Sequence, residues 1–140
     1  MKFTPLVTLE FCVEGPPVSA QAHNRTNLQK WRKRVAASAR LTWPADKPPF
    51  PGNVDLTVTY YQMGNWRGDN DNMVKPIQDA LQGIAYLDDR QVRNHSGKRR
   101  NLKGKYTVHR ISLVLAYAFA RGPEFLHVRV EQSSADEDLG

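Results

Sequence analysis

At 140 residues the chain is expected to form one domain with a real core. Its 20 Lys and Arg outnumber its 14 Asp and Glu, and the resulting net charge of +6 and pI of about 9.7 favour an anionic partner. The single cysteine, Cys12, excludes an intrachain disulfide and leaves structural zinc without a second thiol, while the longest apolar run, residues 111–120, is too short to cross a bilayer.

Residues 8–14 alternate, with Leu9, Phe11 and Val13 on one side and Thr8, Glu10, Cys12 and Glu14 on the other, the pattern of a half-buried strand. Gly15-Pro16-Pro17 ends it, and residues 19–27 read as a polar loop. Residues 28–41 have helical period, with Leu28, Trp31, Val35 and Ala39 as the buried stripe and Lys30, Arg32, Lys33 and Arg34 around the other faces. Pro48, Pro49 and Pro51 make residues 43–52 a surface loop. Residues 54–61 give the clearest strand, with Val54, Leu56, Val58 and Tyr60 facing one way. Residues 62–67 connect it to the next segment, where Trp66 packs and Arg67 is placed to meet a phosphate.

Residues 68–91 hold five of the fourteen acids of an otherwise basic chain. Crowded carboxylates repel one another, and a hard divalent ion such as Mg²⁺, which takes oxygen ligands, removes that cost. If extended, Asp69 and Asp71 share one face. Asn72 is a good helix N-cap for a segment whose apolar stripe is Ile77, Ala80, Leu81 and Ile84, with Pro76 expected in or just after the first turn and Gly83 as the stop. The chain then reverses, which would bring Asp88, Asp89 or both beside Asp69 and Asp71. Lys75 lies one turn beyond Asp71, and Asp79 is placed to pair with Lys75. An EF-hand loop is excluded, because its sixth and twelfth positions would be Val74 and Ala80.

From residue 90 to residue 123 there is no acid and there are nine Lys or Arg. The expected form is a strand, a basic hairpin or loop, and a returning strand over residues 111–119, buried on both sides. His95 and His109 read as ordinary strand or loop histidines. Gly122-Pro123 turns the chain into a last strand, residues 125–131, with Leu126, Val128 and Val130 inward and a possible dimer surface at a sheet edge. Residues 132–140 form an acidic tail expected to be disordered, leaving 1–131 as the single domain. The fold class is therefore α+β: a mixed sheet of about four or five strands with two principal helices packed on it. Arg67, Asn72, Arg93, Lys98, Arg99, Arg100, Lys103 and Lys105 make up the expected nucleic-acid-contacting set.

The run Asp69-x-Asp71-Asn72-x-x-Lys75, with Asp79-Ala80-Leu81, Gly83 and Asp88-Asp89-x-Gln91, resembles the signature of the RusA family of Holliday junction resolvases. The resemblance is dense through this motif and looser over residues 8–131, with the stretch 97–122 longer than the family's compact version. It implies a homodimeric, Mg²⁺-dependent endodeoxyribonuclease, with Mn²⁺ as substitute, that resolves four-way DNA junctions by paired nicks leaving 5′-phosphate ends. It also implies a cytoplasmic protein of bacterial, phage or prophage origin with no membrane partner. Position by position, Asp69, Asp71 and Asp89 match the family's metal-binding acids, Lys75 its catalytic lysine, and Asp88 a secondary contributor to the metal. Two other readings of the residues are a branched-DNA-binding protein that does not cut, and a metal-dependent nuclease for forks, flaps or RNA.

Overall fold

The computed structural model describes residues 7–63, 68–101, 112–121 and 124–133. Alternating apolar residues build strands β1 (Thr8–Glu14), β2 (Val54–Gln62) and β4 (Phe125–Gln132), and the edge strand β3 (Val92–Asn101) follows a 3-10 turn at Asp89–Gln91. Between them lie helices α1 (Arg25–Thr42), α2 (Asn70–Leu81) and α3 (Leu113–Arg121). The sheet order is β1-β4-β2-β3, with β2 and β3 parallel and the other neighbours antiparallel. The class is thus α+β as expected, with four strands among the described residues.

Period-2 and period-3.6 patterning meet on one side of this sheet. Leu9, Phe11 and Val13, Val54, Leu56, Val58 and Tyr60, and Leu126, Val128 and Val130 all point to the same face. Against them α1 lays Trp31, Val35 and Ala39, and α2 lays Met73, Val74, Ile77 and Leu81. Asn24 caps α1, its side chain accepting from the Asn27 N–H at 3.1 Å. Because Ile77 is fully buried in this layer, Ile77→Ala is expected to lower unfolding free energy by about 3 kcal/mol, read by denaturant titration.

Residues 113–121 correct one expectation: they form a helix, α3, and not a strand, so among the described residues three helices pack on the sheet. Every residue from Leu113 to Phe119 is apolar or small, so the alternation carried no period information. The deciding features are local. Ser112 accepts from the Leu115 N–H through its hydroxyl at 3.1 Å, an N-terminal cap, and burial falls on Leu115 and Ala118, three residues apart. They pack with Tyr61 and Phe125 on the second face of the sheet, while Leu113 and Tyr117 point outward. The middle of the sheet goes to β4 instead, so this last strand offers no edge for dimerisation.

A polar cluster ties α3 down. Glu10 Oε2 accepts from Ser112 Oγ at 2.8 Å and lies 2.5 Å from His127 Nε2 across the β1–β4 pair. Burial pushes the Glu10 carboxyl up, but the hydrogen bonds from His127 and Ser112 and the His127 and Arg129 charges outweigh it and hold the group below its usual 4.5. A lowered folded-state value contributes stability above 4.5 that disappears as pH falls through the folded value. Acid titration below pH 4.5 is therefore expected to destabilise wild type more than Glu10→Gln, seen as a smaller pH dependence of the variant's melting midpoint.

Candidate active site

The acidic motif sits where β2 has ended and α2 begins, and its first carboxylate is the cap. Asp69, with extended backbone, accepts from the Asn72 N–H through Oδ1 at 3.0 Å and from Asn72 Nδ2 through Oδ2 at 3.3 Å. This corrects the expectation that Asn72 caps the helix and that Asp69 and Asp71 lie on an extended segment: Asp71 is in the first helical turn. Negative charge there is favourable, because the unpaired N–H groups of the first turn leave partial positive charge. Asp69 and Asp71 line one open pocket together with Asn70 and Arg99.

Two adaptations fix this end of α2. Pro76 lies inside the helix, further along than the expected place in or just after the first turn, and has no N–H to give to the carbonyl four residues back. That carbonyl, Asn72 O, accepts instead from Ala20 N at 2.9 Å, so the loop after β1 is bound to the site-bearing helix. On the other side β3 approaches closely at Gly97. A Cβ there would stand 2.9 Å from Val74 Cγ2 and 3.1 Å from Asn70 O, contacts only glycine avoids. Asn70 completes the join, donating from Nδ2 to Gly97 O at 3.0 Å and accepting from Arg99 Nε at 2.8 Å.

Lys75 is an exposed side chain one turn along from Asp71, with Nζ 3.5 Å from Asp79 Oδ1, the pairing its spacing predicts. Asp79 also meets Arg32 of α1 at 3.3 Å through its other oxygen, so one carboxylate holds Lys75 and links the two helices.

Gly83, at φ +88°, stops α2 in the left-handed region as expected. The chain then turns back under Tyr86, whose hydroxyl donates to Gln78 O at 2.6 Å. Asp88 and Asp89 follow at the 3-10 turn. Asp88 caps it, taking the Arg90 N–H at 2.9 Å and the Arg90 guanidinium at 2.8 Å, which holds its carboxyl well below the usual range, at about 2. Its oxygens are thus engaged locally. Gln91 closes the box: its amide nitrogen donates to Phe50 O and Gly52 O, each at 2.8 Å, and its amide oxygen accepts from Leu87 N and Asp88 N at 3.0 and 3.1 Å. Asp89 stands on this turn, outside the lining of the Asp69–Asp71 pocket, and among the described residues no three His, Cys, Asp or Glu side chains gather as a metal-holding group.

The expected DNA contacts separate by face. In the parallel register Arg99 lies beside Tyr60 on the face covered by α2, whereas Lys98 and Arg100 lie beside Thr59 and Tyr61 on the opposite face. Arg93 is exposed at the start of β3, and Asn72 is turned to Asp69. His95 Nδ1 is 3.2 Å from Gln78 Oε1, an ordinary strand-to-helix contact. Arg67, Lys103, Lys105, Trp66, His109 and the tail beyond Ser133 lie outside the described residues. The motif spacing identified neither Asn70 nor a role for Gln91; Gly97 was the available signal for the first, as a glycine within a strand marks close backbone approach.

An acidic pocket at a helix N-terminus, beside an edge strand of ten residues that carries no acid, is the equipment of a domain that acts on a phosphate polymer. The family model described as "Endodeoxyribonuclease RusA" matches residues 15–109, and the chain belongs to this family. Membership makes it a nuclease of the hydrolase class. Comparison with curated proteins finds no match. No helix among the described residues is long and apolar enough to cross a membrane.

Proposed function

We propose that the protein is a Mg²⁺-dependent endonuclease that resolves four-way DNA junctions by paired symmetric nicks, working as a homodimer in the bacterial cytoplasm from a chromosomal, phage or prophage gene. The observation that carries the reading is the pocket in which Asp69 and Asp71 stand together with a cation, Arg99, on a chain that belongs to a DNA-cleaving family. The donor set fits a hard cation: two carboxylates with room for water and phosphate oxygens suit Mg²⁺, which is held by one or two carboxylates rather than by an all-protein cage. Asp69 and Asp71 would hold the ion, with Mn²⁺ able to substitute, and Asp89, which stands on the 3-10 turn outside this pocket, is the third acid that the motif resemblance assigns to the set. Asp88, engaged by Arg90, caps the turn on which Asp89 stands and would serve this arrangement by holding that turn. What such an ion supplies when bound is an acidified water and positive charge against the phosphate.

The remaining work falls to the chain. Lys75, steadied by Asp79, donates to a non-bridging oxygen or to the leaving 3′-oxygen. Arg93, Lys98 and Arg100 hold DNA backbone. A junction has two-fold symmetry, and two sites related by a two-fold axis cut matched positions. The test compares synthetic four-way junction, fork, flap and plain duplex, each with Mg²⁺ and with EDTA. Paired nicks in the junction that vanish in EDTA are the expected result. Faster cutting of forks or flaps would reassign the substrate, and cutting that persists in EDTA would remove the metal from the account.

A further inference from the structure

The cations of β3 do not act as one patch. Arg99 alone among Lys98, Arg99 and Arg100 projects to the α2 side of the sheet, where it lines the pocket of Asp69 and Asp71. There its Nε donates to Asn70 Oδ1 at 2.8 Å, and Asn70 is itself anchored by donating to Gly97 O at 3.0 Å. Asn70 is the residue between the two pocket carboxylates, so one short side chain couples the acidic helix end to the cationic strand. Gly97 brings the two backbones near enough for that reach.

We propose that Arg99 contacts the phosphate group at the Asp69–Asp71 pocket, and that Asn70 is the positioning residue that holds its guanidinium there. The inference rests on the nuclease reading above and specifies which cation serves the reacting phosphate. Two carboxylates repel a phosphate, and a guanidinium fixed opposite them returns attraction in a planar, multi-donor form that matches phosphate oxygens. Arginine is a long, rotamer-rich side chain, and a bond already made through Nε lowers the ordering left for the moment of binding. Lysine has the charge but neither the planar fork nor an Nε–H.

The experiment uses the full chain and four variants, Arg99→Ala, Arg99→Lys, Asn70→Ala and the double alanine variant, each checked for an unchanged melt. Binding to a synthetic four-way junction is measured in EDTA across a salt series, and cleavage is measured with Mg²⁺ at saturating enzyme in single turnover. Arg99→Ala is expected to reduce the slope of log affinity against log salt by about one. It is also expected to slow the single-turnover step by about 10²-fold. Arg99→Lys should keep the slope without restoring the rate. Asn70→Ala should slow the same step by about tenfold, and the double variant should be no slower than Arg99→Ala. A wild-type rate for Arg99→Ala at saturation, an unchanged salt slope, full rescue by lysine, or losses that multiply in the double variant would each overturn the proposal. If the wild-type protein cut none of the DNA substrates, the nuclease reading would fail, while the salt slope in EDTA would still decide whether Arg99 takes up a phosphate.

Discussion

Asp71→Asn is expected to abolish junction cleavage, by on the order of 10³-fold or more, while leaving junction affinity equal or tighter. The amide is isosteric and Asp71 is exposed in the first turn of α2, so the helix should form normally. The loss of a charge near the helix N-terminus should cost only about 0.3–1 kcal/mol. What would disappear is an anionic oxygen for the proposed metal. What improves is the approach of the phosphate, since one repelling charge is gone. A cleavage gel and a binding titration in EDTA, run on the same preparation, separate the two effects. Undiminished cutting would show that Asp71 is not part of the machinery, and lost binding would show that its role is in the fold or the DNA interface.

The second large effect is expected from Gln91→Glu. The native amide uses both donors and two acceptor positions, tying residues 50–52 to the turn at 87–88. A carboxylate keeps the acceptors and loses both donors, and it faces the Phe50 and Gly52 carbonyls with negative charge. Two lost hydrogen bonds at a half-buried site should cost about 2–3 kcal/mol. The same change should loosen the turn that carries Asp89 and reduce cleavage even well below the melting transition. The checks are a denaturant midpoint and an initial cleavage rate. An unaltered midpoint would mean that the turn is held by Asp88 and Arg90 without Gln91.

Those two residues mark the division between what the motif reveals and what needs coordinates. Strong periodicity made α1, β1, β2 and β4 legible, down to the buried stripe of Leu28, Trp31, Val35 and Ala39. The Lys75–Asp79 pair and the Gly83 stop also followed from spacing. Residues 113–119 did not, because a uniformly apolar run fits strand and helix equally and the hydroxyl of Ser112 decides between them. The cap was misplaced for a related reason: Asp69 and Asn72 are both good caps, and the winner is the residue whose side chain reaches the N–H three positions on. The positions of Asn70, Gln91 and Arg99 depend on partners 27 to 41 residues away in the chain, which no local pattern encodes.

The position of β4 has a consequence for how the protein is made. The unit β2–α2–β3, which bears the carboxylates, is contiguous and can collapse as soon as it is synthesised, whereas β1 is joined to that unit within the sheet only by pairing with β4. Until residues 125–132 leave the ribosome, Leu9, Phe11 and Val13 lack their neighbouring strand, and the loop that reaches Asn72 through Ala20 is tethered to an unpaired segment. Nascent chains should therefore acquire their finished nuclease centre late, only after residues 125–132 have emerged.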